Sequence, residues 1–286
     1  MKRIRFIIDS TFGMSPEYLD KYQILINPLN VIVDGLSYLD GVEIQVRDVM
    51  EYVAQGKKVT TSQPSPGSYK LLYDQAFKEG ADYVICLTIS SLLSGTVQSA
   101  NAAREMHERA EDIFVHDTLG VNIEAAMLLE TGIEAMEQGK HPTEIIEIIK
   151  KNKPDSGVLL NLVTLDNLLY SGRVSRMKAF IGNLLHVKPV VLYKDAKVMI
   201  LKKFRSEKKV YHYFVDYCQS LRKKHQGRMR LRLSHVNAIE RVNRLYDELS
   251  KALPDVKIEM GMEITPLMAI YIAYGGIAVA WIFERD

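Results

Sequence analysis

Between Ile4 and Lys151 the chain alternates short apolar runs with amphipathic stretches, and this rhythm restricts its fold more than any other property. Ile4–Ile8, one or two runs within Ile24–Val33, Tyr83–Leu87 and Ile113–His116 read as strands bounded by polar turns. Helical periodicity covers Val46–Gln55, Ser68–Glu79, Gly95–Ala110, about 123–138 and about 143–151, the last with Pro142 at its start. Strands that alternate with helices in this way build a parallel sheet covered on both faces.

A basic stretch bearing Pro154 and Gly157, from Lys150 to Gly157, marks a joint. Beyond it Gly157–Val163 reads as a strand and Arg176–Leu185 as a short helix. Lys188–Tyr193 and Val198–Lys203 read as a hairpin turning at Lys194-Asp195-Ala196. Helices over Glu207–Lys223 and Ala238–Leu253 follow, with strands at Arg228–Leu233, Val256–Met260 and Gly276–Phe283. With 286 residues there is room for two ordinary domains. The pattern predicts an α/β protein with an N-terminal parallel-sheet domain over 1–153 and a C-terminal mixed-sheet domain over 154–286.

Composition narrows the function classes. Hydrophobic residues make up 47% and charged residues 25%, the balance of a globular protein. A formal net charge of +2, without aromatic residues interleaved among the basic ones, gives no nucleic-acid footprint. The two cysteines, Cys86 and Cys218, lie far apart and read as reduced core thiols, so a cytoplasmic location is expected. The run Ile4–Ile8 is too short for a secretion signal. The longest apolar stretch, Met268–Phe283, is interrupted by Gly275-Gly276, so no membrane span is expected.

Three hydroxyl clusters follow strands or fill loops: Asp9-Ser10-Thr11, the capped loop Thr60–Gly67, and Ser90-Ser91 continuing to Ser94-Gly95-Thr96. Singly, each reads as a helix cap. Three of one chemistry at the ends of parallel strands read as one site, because ligands of open α/β sheets bind there. The N-terminus of a helix beginning near Ser94 offers unpaired N–H groups to an anion, and Gly95 permits close approach.

A nucleophilic Ser94 lacks the Gly-x-Ser-x-Gly setting, and His116, His141, His186 and His235 carry no local signature of a base. No phosphate loop and no metal-ligand spacing occur, so neither cofactor nor metal is expected. Arg228, Arg230 and Arg232 alternate with apolar residues and read as the solvated face of an exposed or edge strand. Lys202–Lys209, with Arg205, is a denser basic cluster suited to a phosphate or carboxylate. These residues leave open a small-molecule enzyme using Ser94 or Asp9, and a binding protein for an acidic lipid or metabolite.

In order along the chain, Asp9-Ser10, Thr61-Ser62-Gln63-Pro64-Ser65, Ile89–Ala100, Asp117-Thr118, Leu168–Ser175, Leu185–Val191, Lys203-Phe204-Arg205 and Ser234–Asn237 resemble the DegV family of bacterial fatty-acid-binding proteins. The resemblance spans nearly the whole length. It implies a two-domain carrier that buries one long-chain fatty acid between its domains and presents it to a separate fatty acid kinase, without catalysis of its own. By the same resemblance Thr61 and Ser94 hold the acyl carboxylate, with Ser62, Gly95 and Thr96 beside them. Arg205 couples to the kinase, and Asp9, Ser10 and Arg173 are accessory. Contact with a membrane surface for acyl exchange is a further expectation. The chain departs from the family at a C-terminal His-Thr-Gly-Pro-Gly segment, whose slot holds Tyr271-Ile272-Ala273-Tyr274-Gly275, so that Tyr271 stands where the His would. A Tyr hydroxyl still donates a hydrogen bond but carries no positive charge.

Overall fold

The computed structural model describes residues 2–172 and 187–284. Its elements in chain order begin with β1 (Ile4–Asp9), α1 (Pro16–Tyr22), β2 (Leu25–Asn27), β3 (Asn30–Val33), β4 (Leu36–Leu39) and α2 (Val46–Ala54). Next come β5 (Val59–Ser62), α3 (Pro66–Lys78), β6 (Tyr83–Thr88), α4 (Thr96–Glu105), β7 (Ile113–Asp117), α5 (Ile123–Glu137) and α6 (Pro142–Asn152). The C-terminal portion holds β8 (Gly157–Asn161), α7 (Asp166–Tyr170), β9 (Lys188–Lys194), β10 (Lys197–Phe204), α8 (Glu207–Lys224) and β11 (Arg228–His235). It closes with α9 (Ile239–Ala252), β12 (Lys257–Met260), α10 (Pro266–Ile272) and β13 (Ile277–Glu284).

The N-terminal portion carries a parallel sheet ordered β2-β1-β6-β7 and a small antiparallel sheet ordered β4-β3-β5. The C-terminal portion carries one mixed sheet, β10-β9-β8-β13-β11-β12, antiparallel except between β11 and β12. This is the expected α/β architecture of a parallel-sheet half followed by a mixed-sheet half.

The mixed sheet is covered on both faces, and the two-residue period of its strands divides the core accordingly. Leu159, Val190, Leu192, Leu231, Val279 and Trp281 face α8 and α9. Val158, Val191, Tyr193, Ala278, Ala280 and Ile282 face the N-terminal portion and share one core with Ile8, Leu87, Val121 and Leu128. The largest core thus draws on residues from both sides of the Lys150–Gly157 joint. The joint itself is a short 3-10 turn over Lys153–Asp155 that is tied down. Lys153, buried, pairs with the buried Glu124 of α5, which also accepts from Ser156 Oγ at 2.7 Å.

Several elements differ from the sequence reading. The Arg228–Leu233 strand is not an edge strand, because β12 pairs along its outer side. Of its arginines only Arg228 is exposed. Arg230 Nη2 lies 2.7 Å from Glu130 Oε2 of α5, and Arg232 Nη1 lies 2.8 Å from Glu130 Oε1. Glu259 and Glu284 complete the cluster, so the alternation that read as a solvated face is a buried ionic seam between α5 and the mixed sheet. The loop Thr60–Gly67 begins inside β5, the helix read as Gly95–Ala110 stops at Glu105, and Pro266–Ile272, unassigned in the sequence, is a helix. The helix read at Arg176–Leu185 lies outside the described residues.

Candidate functional site

β6 is apolar and buried through Thr88, and its chain leaves the sheet into Ile89–Gly95. Ser90, fully buried, organises this loop: its carbonyl accepts from the N–H groups of Leu93 and Ser94, and its own N–H donates to Gly120. Ser94 is thereby carried to the start of α4, whose N-cap Gly95 supplies no side-chain cap. Ser94 Oγ and Thr96 Oγ1 lie 2.8 Å apart.

The second hydroxyl segment arrives by a different route. Val31 pairs with Thr61 in the small sheet, which sets Thr61 and Ser62 at the end of β5. The segment then turns so that Gln63 lies over Gly95, where an added Cβ would sit 2.7 Å from Gln63 Nε2. Gly95, with an ordinary negative φ, is therefore needed for the close approach of this amide.

The third arrival is α10. Thr265 stands at its N-cap without a side-chain cap bond, and Pro266 occupies the first helical position, where its missing N–H costs nothing. Asp40, buried at the end of β4, accepts from Leu267 N–H at 2.8 Å and from Ser10 Oγ at 2.7 Å. Burial pushes the Asp40 carboxyl up to about 6. Held at this end, α10 turns Leu267, Met268, Tyr271 and Ile272 into one wall, and Tyr271 OH reaches 2.7 Å from Thr61 Oγ1.

These three segments surround a cavity of about 530 Å³ between the two portions. That size is in the range of pockets that enclose a small ligand. Thr61, Ser62, Gln63, Ser94, Gly95 and Tyr271 line it together. The rest of its wall is mainly aliphatic, from Leu29, Ile89 and Val121 on one side and Val158, Leu160, Val191 and Ala278 of the mixed sheet on the other. Tyr193 also lines it and donates from its hydroxyl to Leu119 O at 3.0 Å.

The remaining expected residues lie apart from this lining. Asp9 is fully buried and accepts from Thr11 N, Thr11 Oγ1 and Ile89 N, fastening the β6 loop to β1. Burial raises its carboxyl to about 6. Ser10 bridges Asp40 and Leu29 N. Thr96 is buried behind Ser94. Arg205 is exposed in the turn between β10 and α8, outside the cavity, and Arg173 lies outside the described residues. His116, whose imidazole burial lowers to about 4, His141 and His235 line other surfaces. Among the described residues no group of acidic, His and Cys side chains is placed to hold a metal, and no helix is long and apolar enough to cross a membrane.

The family model described as "Uncharacterised protein, DegV family" matches residues 3–284. The chain belongs to the DegV family. Among curated DegV domain-containing proteins, one from Caldanaerobacter subterraneus subsp. tengcongensis is 30% identical over 220 residues, covering 77% of this chain and 78% of its own. One from Halalkalibacterium halodurans is 26% identical, with both chains covered fully. Among solved structures, the fatty-acid-binding DegV family protein of Thermus thermophilus is 28% identical with a TM-score of 0.90, covering 99% of this chain and 100% of its own. DegV of Bacillus subtilis, a fatty acid binding protein, is 26% identical with a TM-score of 0.85 at the same coverage.

Within this DegV-family chain, sequence reasoning brought forward Thr61, Ser62, Ser94, Gly95 and Tyr271, and these five meet at the cavity. It missed Gln63 and Asp40 as site-building residues. Gln63 stood inside the quoted Thr-Ser-Gln-Pro segment, so its signal was in view. Asp40, in Leu39-Asp40-Gly41, reads as an ordinary turn residue, and only the fold brings α10 to it.

Proposed function

We propose that this protein binds one long-chain fatty acid in the cavity and acts as an acyl carrier rather than an enzyme. The observation that carries the reading is a mainly aliphatic cavity with hydroxyls from three separate segments gathered in its wall. In this reading the portions 1–153 and 154–286 are two domains, and the acid lies between them. Its carboxyl group meets Thr61, Ser62 and Ser94, with Tyr271 behind Thr61, while Gly95 and Thr96 shape the loop. The tail supplies most of the affinity, since each buried CH₂ is worth about 0.8 kcal/mol. The fatty-acid-binding structures of the family relatives support the same assignment. Arg205, exposed among Lys202, Lys203, Lys208 and Lys209, serves in this reading as a contact for a fatty acid kinase that receives the bound acid.

Mass spectrometry of gently denatured protein tests this directly. A fatty acid of roughly 14–20 carbons, the length a tunnel of ~20–25 Å accepts, is expected to be released. Protein that releases none, and that binds none when the acids are supplied, rejects the proposal. Ser94→Ala removes one neutral hydrogen bond, worth about 1 kcal/mol, and is expected to weaken binding roughly fivefold in a titration. Arg205→Ala is expected to leave that affinity unchanged and to lower the rate of acyl phosphate formation with the kinase.

A further inference from the structure

Two bonded pairs of hydroxyls stand at the cavity wall, one on each hydroxyl segment. Thr61 Oγ1 and Tyr271 OH lie 2.7 Å apart, and Ser94 Oγ and Thr96 Oγ1 lie 2.8 Å apart. The pairs are neighbours, because the side chain of Gln63, close after Thr61, lies over Gly95, the residue after Ser94. In the second pair the order from ligand to core is plain: Ser94 lines the cavity and Thr96 is fully buried behind it. In the first pair both residues line the cavity, and the Tyr271 phenol is the stronger acid of the two hydroxyls.

In each pair either oxygen can be the donor, so the ligand decides the direction. An ionised carboxylate only accepts. Facing it, Ser94 turns its proton to the ligand and accepts the proton of Thr96 on its own lone pair. The opposite order, with Ser94 donating to Thr96, sets lone pair against lone pair. Tyr271, as the stronger acid, gives its proton to Thr61 in the same sense, and Thr61 is left to donate onward. A hydroxyl that accepts one hydrogen bond is polarised and donates the next more strongly. Donors aimed in this way favour the ionised form of a bound acid.

Resting on the reading that the cavity binds a fatty acid by its carboxyl group, we infer that Thr96 and Tyr271 are positioning residues for that group. Thr96 directs the Ser94 proton, and Tyr271 the Thr61 proton, onto an ionised carboxylate, one relay from each segment. Thr96 does so from behind Ser94, without touching the ligand.

The test follows tetradecanoic acid labelled with carbon-13 at its carboxyl carbon and bound to the delipidated full chain. The carboxyl resonance, read between about pH 4 and 8, gives the midpoint at which the bound acid takes up a proton, and calorimetric titration at about pH 8 gives the affinity. Thr96→Val and Tyr271→Phe each delete one outer hydroxyl, and each is expected to weaken binding about threefold, the low end for a lost hydrogen bond. The protonated acid can give its own proton to Ser94 or Thr61 in place of the one removed, so only the ionised form is weakened. The midpoint is therefore expected to rise by about half a pH unit in either variant. The double variant is expected at about tenfold and about one pH unit, since the relays lie on separate segments. Thr96→Ser, which keeps the hydroxyl, is expected to return both readings to native values. A midpoint that holds its native value while affinity falls means that the residues only shape the wall, which overturns the inference and leaves the carrier reading standing. Native affinity in both variants overturns it equally. Should Thr96→Val not fold, Tyr271→Phe, which keeps its ring, carries the same comparison. A native chain that binds no acid overturns both readings together.

Discussion

At Gly95 the closest neighbour of an added Cβ is the far end of the Gln63 side chain, 2.7 Å away. Gln63 is exposed and can swing aside, so Gly95→Ala is expected to lower stability by less than about 1 kcal/mol. The same change moves the amide off the cavity rim. Acyl-probe affinity in Gly95→Ala is therefore expected to match that of Gln63→Ala, and a native-like affinity in either variant would remove Gln63 from the site. Ala273, just past α10, presents the opposite case, with φ 64 and ψ 163, a conformation that is essentially glycine's own. Such a residue stores on the order of 1–3 kcal/mol, of which the extra freedom of an unfolded glycine takes back part. Ala273→Gly is expected to raise the melting temperature by roughly 2–4 °C in calorimetry. Hydroxyl chemistry at strand ends was legible in the sequence because Ser and Thr clusters are rare outside caps and sites. The reason for Gly95 was not, since it depends on a side chain more than thirty residues away.

Among elements, α10 decides whether the site closes, and it was the hardest to read. Its seven residues are nearly all buried, so they show no amphipathic period, and they sit inside an apolar stretch that continues into β13. The Thr265-Pro266 start was its one local signal. β4 and β5 were obscure for a related reason, being four residues each and largely polar or exposed. The long helices and the parallel strands, by contrast, follow from periodicity alone.

Asp40 is the anchor of α10, and its raised pKa gives the element a pH signature. A carboxyl near 3.8 in the unfolded chain and about 6 in the folded one holds its proton more tightly when folded. Its contribution is therefore fully present below about pH 4 and is lost as pH rises through about 6. Asp9, raised to about 6 by burial as well, adds a second share of the same sign. Unfolding free energy measured in urea is expected to lose a few kcal/mol from these two groups between about pH 4 and 6. Asp40→Asn, which keeps an acceptor for Leu267 N–H, is expected to halve that slope.

In the whole molecule the two portions are joined by more than the backbone joint. α5 is buried along nearly its full length and presents two acidic side chains, Glu124 and Glu130, to cations from beyond residue 152. The Arg230–Arg232 seam is the larger of the two contacts. Glu130 touches both guanidinium groups, and Glu259, held down at about 2 against its own burial by Lys257 and the arginines, spans them from β12. The sequence showed the arginines' alternation but not their partners, because a face covered by a distant helix and a face covered by water have the same period. Removing one partner of a buried ion pair strands the other charge, at a cost of about 3–5 kcal/mol. Arg230 keeps Glu284 and Arg232 keeps Glu259, so Glu130→Ala is expected to fall at the low end, about 3 kcal/mol, in denaturant titration. Since the core that lines the cavity is shared by both portions, the loss is expected as a shift of one cooperative transition with an unchanged slope. A separate early transition in Glu130→Ala would mean that the mixed sheet and the parallel sheet stand without each other, and that the cavity between them rests on this seam alone.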